Sequence, residues 1–274
     1  MIDVARHYLT QRKVAPLYAR TLLNVGARLE KGGITLETIS GERINEWVTS
    51  LPYSDGTKSN NRRMAMTLWK WAFESSLTDK PPRGVLSVRV RRQATVAWTR
   101  PQLYELVKSA DEVRGKFRGT NCDRSLFWGT LFRCAYETGL RFSDLHGLTK
   151  DSIDGGCITL TVSKTGQPIT RPITEDLERR LLELASMAKK DGIFSSYMNR
   201  KNTFITARKL LDAAGIKGSM RFFRRSGATH CEIEQPGSAQ AYLGHATPGL
   251  AARHYIDHRQ LRSRLVAPPA LGSN

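Results

Sequence analysis

Cysteine is sparse in this 274-residue chain, and Cys122, Cys134, Cys157 and Cys231 are widely separated. With no Cys-x-x-Cys pair and no Cys/His ligand cluster, they offer neither a disulfide framework nor a structural zinc, and they point to a reducing, cytoplasmic setting. Long apolar runs are missing as well: none approaches the ~20 residues of a membrane span. The opening MIDVARHYLTQRK carries charge too early for a secretory signal, so no membrane partner is expected. There is no Gly-x-x-x-x-Gly-Lys-Ser/Thr loop, which argues against nucleotide hydrolysis. The carboxylates are scattered over helix starts and surface turns, giving no converging set for a metal-dependent nuclease, so neither metal nor cofactor is expected. Acidic residues are few, 25 against 43 Lys and Arg, leaving a net charge of +18 and a pI near 10.1. A polyanion is the expected partner, nucleic acid first.

A hydrophobic fraction of 40% supports an ordinary core. The pattern divides the chain at a basic, Pro-containing stretch, giving regions 1–93 and 94–274. The first reads as helices only: Tyr8–Leu29, a turn, Glu42–Leu51, a loop at Ser54-Asp55-Gly56, then Asn60 or Asn61 to about Ser76. This last helix carries Met64, Leu68, Trp71 and Ala72 on one face; Arg62, Arg63 and Lys70 fall elsewhere on it and are candidate phosphate contacts, or simply a solvated basic face. Pro81-Pro82-Arg83-Gly84 ends the region, and Arg89 to Gln93, with Arg91 and Arg92 as further DNA-binding candidates, forms a linker.

The second region opens at Trp98-Thr99-Arg100-Pro101. Helices are expected over Gln102–Ala110 and Ser125–Thr138, the latter closed by Gly139 in a left-handed cap. Arg141 follows immediately, and Asp144 falls in the first turn of the next helix, where it can favour the helix start or orient a guanidinium. Asp151–Thr174 alone reads as sheet, with Lys164 at a hairpin tip: an ordinary exposed turn residue, or an ammonium delivered into a groove. Thr174 caps a helix with a Leu177, Leu181, Leu184 and Ala188 stripe that ends at Gly192. A second helix from about Asn202 buries Phe204, Ala207 and Leu211. Then Arg221, Arg224 and Arg225 crowd into five residues; guanidiniums stay charged at any working pH and give forked donors to phosphate. Ser238–Leu243 leads to His245. Thr247-Pro248 reads as N-cap and first residue of a short helix that carries Tyr255 near its end. A phenol ionises near pH 10, so such a tyrosine attacks an electrophile only where cations surround the target and a neighbour takes the proton.

Thr-Gly-Leu-Arg141-Phe-Ser-Asp144-Leu, Lys164 at a hairpin, Arg221-Phe-Phe-Arg224-Arg-Ser-Gly-Ala-Thr, Leu-Gly-His245 and Tyr255 together resemble the tyrosine recombinases, or phage integrases, from about Trp98 to the C-terminus. The resemblance implies a mainly α fold with a small β-sheet (α+β), a helical core-binding domain followed by a catalytic domain, and a C-shaped clamp on duplex DNA. It implies that Tyr255 attacks the scissile phosphate, leaving a 3′-phosphotyrosyl link and a 5′-hydroxyl. Arg141, Arg224 and His245 would hold the non-bridging oxygens, and Lys164 would protonate the departing 5′-oxygen. The expected assembly is a monomer in solution and a homotetramer on DNA, nucleoid-associated, with a DNA-bending accessory factor possible.

Two positions depart from that family's pattern. Arg221 stands where a histidine is usual, and arginine cannot accept a proton; it would act as a phosphate clamp. Tyr255 lies ten residues after His245, one more than is usual, and the extra residue must be absorbed before Pro248 because one residue rotates a helical side chain by about 100°. The competing readings are a DNA-binding regulator of the same fold that has lost catalysis, and a type IB topoisomerase. The tail from Ile256, with Arg259, Arg262 and Arg264 beside Leu261, Leu265 and Val266, would dock on a neighbouring protomer or be disordered.

Overall fold

A proline sets the first departure from the sequence pattern. In the computed structural model, which describes residues 1–91, 93–244 and 249–264, the periodicity over Tyr8–Leu29 is divided between α1 (Ile2–Gln11) and α2 (Pro16–Lys31). Ala15 is held extended at φ −62°, ψ 140°, as a residue before proline prefers. Pro16 then opens α2, where its missing N–H leaves no bond unmade. α3 (Gly41–Ser50) starts on Ser40, whose side chain accepts from the Arg43 N–H. α4 (Asp55–Glu74) starts earlier than expected: Ser54 is its N-cap residue, and Asp55 and Gly56 are its first turn rather than a loop.

These helices close around Leu22, Val25, Leu29, Ile44, Met64, Leu68, Trp69 and Ala72. Trp69, not Trp71, is the deep tryptophan of α4. Its indole N–H donates to the Lys80 carbonyl at 2.8 Å, while Trp71 lies half-buried, edge-on to Tyr8 at 5.3 Å. The stretch after Pro81 is tied down, not loose. Val85 and Val88 pack on the same core, Asn45 exchanges hydrogen bonds with the Gly84 carbonyl and the Leu86 N–H at 2.9 Å each, and Arg62 donates to the Val85 and Leu86 carbonyls.

The chain separates into two compact units, Met1–Gln93 and Ala94–Asn274. In the second, Thr99 and Gln102 form a reciprocal capping box at the start of α5 (Arg100–Asp111). α6 (Arg124–Thr138) is buried nearly all round, with Phe127, Trp128, Leu131 and Phe132 inside, and α5, α8 (Glu175–Met187) and α10 (Arg221–Glu234) pack on it. α7 (Phe142–His146) follows directly. β1 (Ile153–Asp154), β2 (Cys157–Thr161) and β3 (Pro168–Pro172) make an antiparallel sheet in that order, with Thr161 opposite Pro168 at the hairpin end.

α8 (Glu175–Met187) is capped by Thr174 and stops at Ala188, short of the glycine at 192. α9 (Arg200–Ala213) starts on Asn199 and buries Ala207 and Leu211, but Phe204 is 43% exposed and only borders the Phe142 ring at 5.6 Å. α10 (Arg221–Glu234), α11 (Ser238–Leu243), α12 (Leu250–His254) and a 3-10 turn over His258–Arg264 complete the unit. The turn is part of the tail from Ile256 for which docking on a neighbouring protomer and disorder are the two expectations, and over His258–Arg264 that tail is structured. Thr247 and Pro248, read as a helix start, lie outside the described residues; α12 itself begins after Gly249, at φ 72°.

The first residues of this unit are pinned to its last ones. Ala97 donates to the Asp257 carboxylate at 3.0 Å and accepts from Gln260 at 2.9 Å. The Trp98 N–H donates to Ser226 Oγ at 2.8 Å, and its indole reaches the Lys217 carbonyl at 2.9 Å. Asp257 is 2% exposed and also takes Arg259 at 2.7 Å. No helix among the described residues is long and apolar enough to cross a membrane.

Candidate active site

Arg141, Arg224 and Tyr255 come from separate elements and meet in one groove. α6 must stop and turn for this to happen. Gly139 supplies the turn at φ 58°, ψ 20°, a left-handed geometry that costs other residues about 1–2 kcal/mol. Two residues later Arg141 is the N-cap residue of α7, half-buried and fixed by the short connection. Arg224 lies on the first turn of α10, 7% exposed. Its Nη1 donates to the Gly139 carbonyl and its Nη2 to the Leu243 carbonyl at 2.8 Å. Both acceptors lie at helix C-terminal ends, where the partial negative charge suits a guanidinium.

Tyr255 terminates α12 at φ −125°, ψ −24°. Its N–H is held by the Ala251 carbonyl at 2.9 Å, and its ring lies 5.3 Å from Arg224 Cζ.

Two adjoining cavities share Leu140, Arg141, Arg224, Leu250 and Tyr255. One, of about 560 Å³, adds Arg221, Arg225, Ser143 and His254. The other, of about 330 Å³, adds Asp144, Lys164, Thr165 and Gln167 from the α7 and hairpin side. Lys164 is exposed at the hairpin and borders this second cavity.

The electrostatics are those of a site built for an anion. Burial pushes the Arg224 guanidinium below its ordinary pKa; Tyr255 pulls it back up, and Arg141 lowers it. Burial likewise lowers Arg225, and the adjacent Arg221 adds to the effect. Like charges held together without carboxylates among the described lining of the larger cavity leave a field that a phosphate would relieve.

Asp144 does something other than orient a guanidinium. It is 5% exposed, and its Oδ1 accepts from the Ser163 N–H at 3.0 Å and from the Ser163 hydroxyl. It therefore ties the residue before Lys164 to α7. Ser163 was invisible as a site residue because nothing local in the sequence links it to Asp144. His254, absent from the sequence candidates, also lines the larger cavity.

His245 lies outside the described residues, as does Arg92. Arg91 and Arg63 are exposed; Arg63 touches Asn60 at 2.8 Å, and Lys70 faces Glu74 at 3.6 Å. Arg62, expected among the surface cations, has Nε and Nη2 turned onto the strap after Pro81. Among the described residues no three His, Cys, Asp or Glu side chains converge as a metal site would require.

A helical unit laid around one central helix, with a three-stranded sheet at its side and an arginine-rich groove ending on a tyrosine, defines a protein of the integrase fold class. The Phage integrase family model matches residues 102–262, more than half of the chain, and the chain belongs to that family, the tyrosine recombinases. No curated protein matches by sequence. Among solved structures, the chain is similar to a lambda integrase tetramer bound to a Holliday junction (TM-score 0.72, 17% identity, 94% of this chain and 76% of that one). It is similar also to XerH site-specific recombinase bound to a palindromic difH substrate (0.72, 15%, 90% and 79%). A third likeness is to residues 82–397 of the Tn1549 transposon integrase in complex with circular intermediate DNA (0.68, 14%, 97% and 99%).

Proposed function

We propose that this chain is a site-specific DNA recombinase that cleaves and rejoins duplex DNA through a phosphotyrosyl link on Tyr255. The observation that carries the reading is the convergence of Arg141, Arg224 and Tyr255 on one groove, with Lys164 bordering it. The phosphate sits between the guanidiniums and the phenol. Tyr255 Oη attacks phosphorus as the bond to the 5′-oxygen breaks, and Arg141 and Arg224 donate to the non-bridging oxygens as charge builds on them. Arg221 and Arg225, on the same cavity, add phosphate contacts. His245 joins them by resemblance alone. Lys164 gives a proton to the leaving 5′-oxygen, its hairpin steadied by the Asp144–Ser163 contact. The phosphotyrosyl link conserves the energy of the diester, so the partner's 5′-hydroxyl can reverse the step.

The similar proteins include a tetramer on a Holliday junction, which supports a tetramer of this chain on paired sites. The free chain is a monomer in this reading, and residues 1–93 are a second DNA-binding domain using Arg63, Lys70 and Arg91. The test is to purify wild type and Tyr255→Phe under denaturing conditions from cells holding a library of nicked duplexes, and to sequence the attached DNA. DNA on the wild type alone identifies the nucleophile and the cleavage site. DNA on neither, while both bind the library natively, would establish instead a DNA-binding protein that has lost the chemistry.

A further inference from the structure

Tyr255 must lose a proton as it attacks, and the residue in the family's usual histidine position, Arg221, cannot take it. The other groups on the larger cavity narrow the choice. Arg141 from the start of α7, and Arg224 and Arg225 from α10, are cations with no acceptor. Leu140, Phe142, Met220 and Leu250 are apolar, and the Ser143 hydroxyl is too weak a base. Among the described residues that line the cavity, the one left with a nitrogen able to accept a proton is His254.

Its placement depends on a backbone detail. Successive residues of a helix diverge by about 100°, so neighbours such as 254 and 255 would normally face different surroundings. Tyr255 leaves the helix at φ −125°, ψ −24°, and at that break both residues border the same space of about 560 Å³. His254 is exposed, so a proton it accepts can pass to water.

Resting on the recombinase reading above, we propose that His254 is a catalytic base and acid of this site: neutral His254 takes the Tyr255 proton during cleavage and returns it to the phenol during rejoining. The Oη–H bond breaks as the Oη–P bond forms, the proton goes to the imidazole, and the electron pair of the P–O bond leaves with the 5′-oxygen, which Lys164 protonates. Rejoining runs the same transfers backwards. Among the described residues, the charged or titratable groups on the same cavity as His254 are Arg141, Arg221, Arg224, Arg225 and Tyr255, with Arg253 next to it on α12; Asp144 and Lys164 line the adjoining cavity.

The experiment is single-turnover formation of the covalent complex on the nicked duplex recovered above, followed from pH 6 to 9 for wild type, His254→Gln, His254→Ala and Asp144→Asn. Native DNA binding and thermal melting serve as checks of folding. Wild type should speed up as pH rises from 6 and the base loses its proton, then level off. His254→Gln should be about 10²-fold slower near neutral pH, gain back rate at the alkaline end, and bind DNA as wild type does. Added imidazole should restore rate to His254→Ala. Wild-type rates in both His254 variants would overturn the proposal. So would a loss that is uniform across pH and deaf to imidazole, or a pH limb that disappears only in Asp144→Asn. Failure of the wild type to attach to any DNA would overturn the recombinase reading and this role with it, whereas attachment by the wild type with unaltered His254 variants overturns this role alone.

Discussion

Alanine at Gly139 and alanine at Gly166 make a matched pair, because both glycines are left-handed, at φ 58° and φ 67°, and differ in what surrounds them. A Cβ at Gly166 meets nothing within 4 Å, so Gly166→Ala bears only the conformational cost, about 1–2 kcal/mol. A Cβ at Gly139 would lie 2.6 Å from Tyr242 Cε1 and Cζ and 2.7 Å from its hydroxyl. Carbon atoms rest at about 3.5–4.0 Å, so the ring must retreat by roughly 1 Å. It has little freedom to do so: the Tyr242 hydroxyl donates to the Tyr136 carbonyl at 2.5 Å and already occupies the space where a side chain at Gly227 would stand. Overpacking of this kind costs about 1–3 kcal/mol. Gly139→Ala should therefore destabilise the unit by about 2–5 kcal/mol against about 1–2 for Gly166→Ala. Urea unfolding followed by tryptophan fluorescence and far-ultraviolet dichroism measures both, the fluorescence reporting on this unit through Trp98 and Trp128. Equal losses for the two variants would refute the reasoning, since the Tyr242 contact is the difference between them.

Asp257 gives a pH prediction. Burial raises its pKa, but Arg259 and the Ala97 N–H outweigh that and hold it below the ordinary carboxylate value. The stabilisation is complete above the unfolded value of about 3.9 and is lost as pH falls through the lowered native value; acid melts should show wild type losing stability below about pH 4 and Asp257→Asn, already weaker, losing less. Burial pushes the Cys122 thiol up to about 11 and raises Cys134 further, so both should resist alkylation until the protein unfolds, with Cys157 and Cys231, half-buried, labelled first in a mass-spectrometric time course. Arg62→Ala should cost about 1 kcal/mol of stability through the strap carbonyls it releases, whereas Arg63→Ala should leave melting unchanged and weaken DNA binding; the reverse pattern would contradict the assignment of the two side chains. For binding to the cognate duplex, Arg221→Ala should lower the slope of log affinity against log salt by about 0.9, and an unchanged slope would remove Arg221 from the phosphate contacts.

Much of the fold could be read because local chemistry and tertiary demand agree. Gly139 had to be a left-handed cap, Thr174 an N-cap, and the alternating segment after Cys157 a strand, and each is found so. The readings that failed are those decided by distant neighbours. Trp69 and Trp71 are both large and apolar, and which one α4 buries depends on where Lys80 and Tyr8 arrive. Phe204 falls on a helical stripe yet faces outward, since the core beneath α9 is filled by Ala207 and Leu211. At the site, Arg141, Arg224 and Tyr255 were legible from residue type and order. Ser163, the spending of Arg62 on the strap, and the shared cavity of His254 and Tyr255 were not, because each arises from a contact or a backbone break that no spacing encodes.

The hydrogen bonds at Ala97 and Trp98 set a limit on how this protein can be taken apart. An excised C-terminal unit starting at Thr99 would look complete by its capping box, yet it would leave Asp257, Gln260 and Ser226 without the backbone groups they now hold. Asp257 and Gln260 lie two and five residues beyond Tyr255, and Ser226 two beyond Arg224. A fragment cut there would lose support on both sides of the groove that holds Arg224 and Tyr255, and a lack of DNA cleavage by it would say nothing about the need for the N-terminal unit. A fragment retaining residues from 94 onward keeps those bonds and makes the comparison fair.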